Sequence, residues 1–186
     1  MSFHIAGDPA ADAVLDEHPF GLLAAMMLDQ QFPMERAFAG PAKVLERFGS
    51  LDPAEIASAD PEKFAALCST PPAVHRFPGS MAARMQELAA HIVDVYDGQA
   101  DRLWNEASTG IELFKRLQAL PGFGKQKSQI FLALLGKQVG VTPDGWAELA
   151  GDYAEPGSYR SVADVVDAQS LDKVRAFKKQ MKAAAT

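Results

Sequence analysis

Apolar residues return every three or four positions in five stretches of the chain: GLLAAMMLDQQ, MERAFAGPAKVLERFG, SMAARMQELAAHIVDVY, GIELFKRLQAL and KSQIFLALLGKQ. That spacing lines up one face of a helix, while the two-residue alternation and tight turns of β-hairpins are missing. Proline and glycine divide the pattern at Pro19, Pro33, Gly49 to Pro53, Pro61, Pro71–Pro72, Pro78–Gly79, Pro121 to Gly124 and Gly140 to Gly145. About nine or ten helices follow, and the fold class is all-α. Several helix starts carry capping residues: Asp52 before Pro53, Asp60 before Pro61, and Gly79 or Ser80 before the long helix to Tyr96. GDYAEPGSYRS at 151–161 reads as a surface loop, and no internal repeat or flexible linker is visible.

Composition narrows the class. With 48% hydrophobic and 23% charged residues in 186, the chain is that of an ordinary globular protein. Its single cysteine, Cys68, excludes an internal disulfide, a four-cysteine zinc site and a cysteine-ligated iron–sulfur cluster. The histidines show no metal-ligand spacing, so no structural metal is expected. No apolar run approaches the roughly 18 residues of a membrane span, and the acidic start is unlike a secretion signal. The expected location is the cytoplasm, at the nucleoid if the source is bacterial, with no membrane partner.

The net charge of −6 argues against nucleic acid until its distribution is considered. Up to Ala119 there are 17 acidic and 9 basic residues, a balance of −8; from Leu120 onward 7 and 9, a balance of +2. Leu120 to Pro143 carries Lys125, Lys127 and Lys137 and no acid. The tail DKVRAFKKQMKAAAT has five bases against one acid, and reads as a solvated amphipathic helix in preference to a DNA contact.

The chemistry concentrates in LQALPGFGKQKSQIFLALLGKQVGVTPDGW, residues 117–146. One helix ends at Ala119 or Leu120, a tight turn follows, and another opens at Lys125. Gly122 and Gly124 permit positive φ and leave the backbone bare. The second helix turns its free N–H groups and positive dipole end toward that turn, where an anion can sit. Lys125, Lys127 and Ser128 add charge and a hydroxyl suited to phosphate. Asp144, before Gly145 and the WAEL stretch, has two readings, as a helix cap and as a reactive carboxylate.

LPGFGKQKSQIFLALLGKQ resembles the helix-hairpin-helix of the HhH-GPD superfamily of DNA glycosylases, whose hairpin reads L-P-G-x-G. The Gly/Pro loop ending in a catalytic Asp is matched by Gly140, Val141, Thr142, Pro143 and Asp144. Asp144 follows Leu120 by 24 residues, as in the endonuclease III branch. Upstream, MMLDQQ is similar to the family's early helix, and by that match Gln30 fills the gap left by a flipped base. TPPAVHRFPGS falls where the family has a DNA-facing loop, placing His75, Arg76 and Phe77 near phosphate. Gln31 and Trp146 are then candidates for the base pocket. The resemblance implies two lobes: a six-helix lobe over 20–138 with its hairpin at 120–124, and a second lobe from 1–19 and 139–186. Asp144 would lie at the mouth of the cleft between them.

The implied reaction is hydrolysis of an N-glycosidic bond in damaged double-stranded DNA. A carboxylate, here Asp144, stabilises the oxocarbenium character of the sugar and aligns water. Bifunctional members carry a lysine nucleophile two residues after the last hairpin glycine. Here that residue is Gln126, which implies a monofunctional glycosylase without lyase activity. No cofactor is expected; an alkali ion on the hairpin carbonyls is a family feature that the sequence permits. The alternatives are a catalytically silent helix-hairpin-helix DNA-binding protein and an all-α interaction scaffold.

Overall fold

The computed structural model describes residues 2–185, which form eleven α-helices and no strand. They are α1 (Pro9–Glu17), α2 (Pro19–Leu28), α3 (Met34–Phe48), α4 (Pro53–Ser58), α5 (Pro61–Ser69), α6 (Pro78–Tyr96), α7 (Arg102–Asn105), α8 (Gly110–Gln118), α9 (Lys125–Leu134), α10 (Trp146–Ala150) and α11 (Ala168–Ala185). A π-helical turn, Leu135–Val139, prolongs α9, and 3-10 turns form at Gly151–Ala154 and Val162–Asp164.

Local chemistry sets many of these boundaries. Five helices begin on proline, whose fixed φ suits a first turn and whose missing N–H has no helical partner to lose. The carboxylates of Asp8, Asp52 and Asp60 accept first-turn N–H groups. The Thr109 hydroxyl accepts from Glu112 N–H while the Glu112 carboxylate accepts from Ser108 N–H, a reciprocal cap on α8. The long helix departs from expectation: α6 opens at Pro78 with Phe77 ahead of it, so neither Gly79 nor Ser80 is the cap.

Every residue of α2 from Phe20 to Leu28 is buried, making it the axis of the molecule. α1 and α3 pack on it, α6 crosses it, and α4 and α5 cover α6. Gly40 lets α3 approach α2 closely, because a Cβ there would lie 2.6 Å from Leu28 Cδ1. The stretch ahead of α1 folds back on it, with Ile5 and Ala6 N–H donating to the buried Asp12 carboxylate. Toward the C-terminus, α8 and α10 flank α9, and α11 follows the last 3-10 turn. One apolar core runs through both halves, with Phe38, Phe64 and Phe131 among its fully buried side chains. No helix of the described residues is long and apolar enough to cross a membrane.

Candidate nucleic-acid interface

The hairpin between α8 and α9 is anchored from beneath by buried Leu120 and Phe123, the latter edge-on to Phe131 and donating its N–H to Leu120 O. Gly122 has φ +82, the left-handed region, whereas Gly124 at φ −90 is extended and is not needed for its backbone angle. What Gly124 supplies is open space: a Cβ there would meet nothing within 4 Å. No side chain caps α9, so its first-turn N–H groups are available to an anion beside exposed Lys125.

The neighbours of Lys125 behave differently from expectation. Lys127 turns inward, its Nζ donating to the carbonyls of Met26, at 2.6 Å, Met27 and Asp29. It thereby closes the C-terminal end of α2. Burial pulls its ammonium down to about 8, with Asp29 opposing the shift and Lys178 and Arg84 adding to it. Ser128 is fully buried and its hydroxyl has no partner. Neither residue can reach a phosphate, because the helical turn that exposes Lys125 points them at α2 and the core. Lys137 is also drawn inside, bonded to Asp164 at 2.6 Å and to the Glu155 carbonyl at 2.7 Å. It organises the 155–164 stretch, so 151–161 is a 3-10 turn followed by a pinned loop.

The connection after α2 meets the hairpin. Gln30 is half-buried, its side-chain amide donating to Met27 O and its backbone carbonyl accepting from His75 Nε2 at 2.9 Å. His75 Nδ1 accepts from Phe77 N–H, so the ring is a neutral Nε2–H tautomer. Its pKa is lowered, chiefly by burial. His75 is therefore an internal strut, tilted against Phe32, and Arg76 and Phe77 stay exposed with the guanidinium 5.2 Å from the ring centre. Arg47 braces the preceding stretch through the carbonyls of Leu67, Thr70 and Pro72. Gln31 is exposed in the left-handed region at φ +51.

Gln126 donates to the Tyr153 hydroxyl at 3.0 Å, and Gln129 to the Leu149 carbonyl at 3.0 Å. The ring of Trp146 lies over Gly136, where a Cβ would come within 2.3 Å of it. These contacts run α10 antiparallel to α9, with Tyr153 near the hairpin end and Trp146 at the far end. Trp146 is thus a packing residue, and its ring fills the space that Gly136 vacates.

Asp144 shares the far end. Its carbonyl accepts from Gly110 N–H at 2.8 Å, at the start of α8, and the nine residues of α8 hold that point about 13 Å from the hairpin. Gly145, with φ +84, is the residue before α10, so the Asp144 side chain does not cap that helix. Its carboxylate is exposed and has no hydrogen-bond or ion-pair partner among the described residues. The structure therefore brings together Gln30, the hairpin and Lys125, and sets Asp144 apart from them. Two open clefts, of about 470 and 440 Å³, are lined by other segments: the 155–160 loop with α11, and the start of α2 with the end of α3 and the stretch after α6.

Arg84 escapes the sequence reading. It sits on α6, and its side chain lies over the hairpin, Cδ 3.1 Å from where a Gly122 Cβ would stand. Asp152, exposed and beside Tyr153, is the acid next to the Gln126 contact. Neither had a local signal, since both are placed by packing between distant segments.

The all-α chain thus presents a helix-hairpin-helix, with a bare helix start after a Pro-Gly hairpin and a glutamine-bearing turn beside it. A family model described as HhH-GPD superfamily base excision DNA repair protein matches residues 24–185, most of the chain. The chain belongs to that superfamily. No curated protein and no solved structure matches it.

Proposed function

We propose that this protein is a monofunctional DNA glycosylase-like repair protein that binds duplex DNA through the hairpin face and hydrolyses the N-glycosidic bond of a damaged or mismatched base. The observation that carries the reading is the uncapped start of α9 with Lys125 beside it, facing the turn that bears Gln30. Backbone N–H groups at such a start hold a phosphate and fix the register of the duplex. On this reading Gln30 fills the gap left by an extruded base and Arg76 meets the neighbouring backbone.

Gln126 supports the monofunctional assignment. At the position of the lyase lysine it offers an amide, already engaged with Tyr153, which cannot form a Schiff base. Lys127, the adjacent amine, is sequestered under α2. The carboxylate assigned to charge stabilisation is Asp144, exposed and unpaired. Its distance from the hairpin favours a second reading, a silent DNA-binding protein that retains the hairpin alone. Asp144→Asn tests the two in one preparation. The variant should lose base release while keeping its affinity for duplex DNA; unchanged release would remove Asp144 from the reaction, and Asp152→Asn in parallel identifies the alternative carboxylate.

A further inference from the structure

The C-terminal helix is anchored by its first half and exposed in its second. Leu171 and Val174 are buried, whereas every described residue from Lys179 onward is exposed. At about 100° per residue, Arg175, Lys178, Lys179 and Lys182 fall within an arc of roughly 100°. Asp172, the helix's one acid, lies at the anchored end.

Specific contacts aim this cationic arc. Arg175 forms an ion pair with Glu35 at the start of α3, and Lys178 Nζ lies 3.9 Å from Asp29 at the end of α2. The Asp29 carbonyl also receives Lys127 from the hairpin helix. Met27, two residues earlier, is 3.6 Å from the Cβ position of Gly122. Lys178 therefore stands at the junction where α2, α9 and the hairpin meet, close enough to Lys127 to disfavour its charge, as Arg84 does from the other helix. Glu35 pairs with Arg175, whereas Asp29 stands 3.9 Å from Lys178, beyond hydrogen-bond distance, and Lys179 and Lys182 lie on exposed turns without a neighbouring acid on their own helix.

We propose that α11 is a second DNA-backbone contact, in which Lys178, Lys179 and Lys182 extend the hairpin's phosphate track along the same strand or across the groove. The occupant is duplex DNA, chosen by charge complementarity and by continuity with the hairpin face; the proposal rests on the DNA-binding reading above. Backbone neutralisation of this kind adds affinity and salt sensitivity without sequence preference. Four of the chain's cations, Arg175, Lys178, Lys179 and Lys182, would thereby meet a polyanion from one face of α11 although the net charge is −6.

The test is fluorescence anisotropy with a short undamaged duplex, and the same duplex holding a stable abasic-site analogue, across a salt series. The proteins are wild type, K178Q/K179Q/K182Q, K178R/K179R/K182R, Lys125→Gln and Lys63→Gln, the last on the distant helix α5. The glutamine triple should weaken binding roughly 10- to 100-fold at 0.1 M salt and flatten the log–log salt slope by about 2 to 3. The arginine triple should restore both, excluding a folding defect, and Lys63→Gln should match wild type. Wild-type affinity and slope in the glutamine triple, with Lys125→Gln still weakened, would overturn the α11 contact alone. An equal loss in Lys63→Gln would also overturn it. If wild type binds neither duplex even at low salt, the DNA-binding reading falls with it.

Discussion

Lys127 and Ser128 occupy neighbouring positions in the first turn of α9, and both are taken up by the interior. In sequence they read as phosphate ligands, because a lysine and a serine at a helix start suit an anion. Their burial depends on how α9 rolls against α2, which no local pattern encodes; the apolar spacing of KSQIFLALL identifies a helix, not the partner that covers its first turn. A consequence follows for Ser128. Its hydroxyl is desolvated without a partner, so Ser128→Ala should leave thermal stability unchanged or raise it by up to about 1 kcal/mol, with duplex affinity unaltered. A phosphate ligand would instead lose affinity in an anisotropy titration. His75 makes the converse case, a polar residue fully engaged. Burial lowers its pKa, so below about pH 6.5 the unfolded chain takes up a proton before the folded one does. Its contribution is present above that pH and is lost as pH falls through the folded value. Denaturant unfolding of wild type and His75→Gln between pH 5 and 7 should show this component in wild type only; parallel profiles would remove His75 from the pH dependence.

At the scale of elements, the boundaries were legible wherever capping chemistry is local. Proline starts and aspartate caps place α4 and α5 where the sequence puts them. Two features were not legible. α6 begins one residue before the first expected cap, Gly79, because Pro78 itself opens it. The π-helical turn Leu135–Val139 contains Gly136, on which the Trp146 ring is seated, a contact between segments that the chain must fold to create. Gly136→Ala places a methyl inside that ring's volume and should cost about 1 to 3 kcal/mol, with a changed near-ultraviolet signal from Trp146. An unperturbed stability would mean that α10 is not held by this contact. The same antiparallel pairing sends Tyr153 to Gln126, and so brings a side chain missed in sequence, as Arg84 was, into the candidate site.

At the scale of the whole molecule, the all-α class and the hairpin were readable because they are written in periodicity and in a contiguous motif. The assembly of the site was only half readable. Gln30 and the hairpin, some ninety residues apart, do come together, bridged by Lys127 and braced by His75. Asp144, matched by its offset along the chain, is carried to the opposite end of α8, because α9 and its π turn run on to Val139 and leave only a short return before α10. Sequence spacing measures contour length along the chain and carries no information on the direction in which the helix takes it. With Gln126 in place of the amine, borohydride should trap no covalent protein–DNA adduct; efficient trapping would contradict the monofunctional assignment.

The most direct test is base release from duplexes carrying a panel of alkylated, deaminated, oxidised and mismatched bases, read as strand breakage before and after alkali. A monofunctional glycosylase releases the base from at least one of these lesions, with breakage only after alkali. Absence of release from every lesion, with DNA binding intact, would contradict the glycosylase and leave a hairpin protein that binds DNA without acting on it.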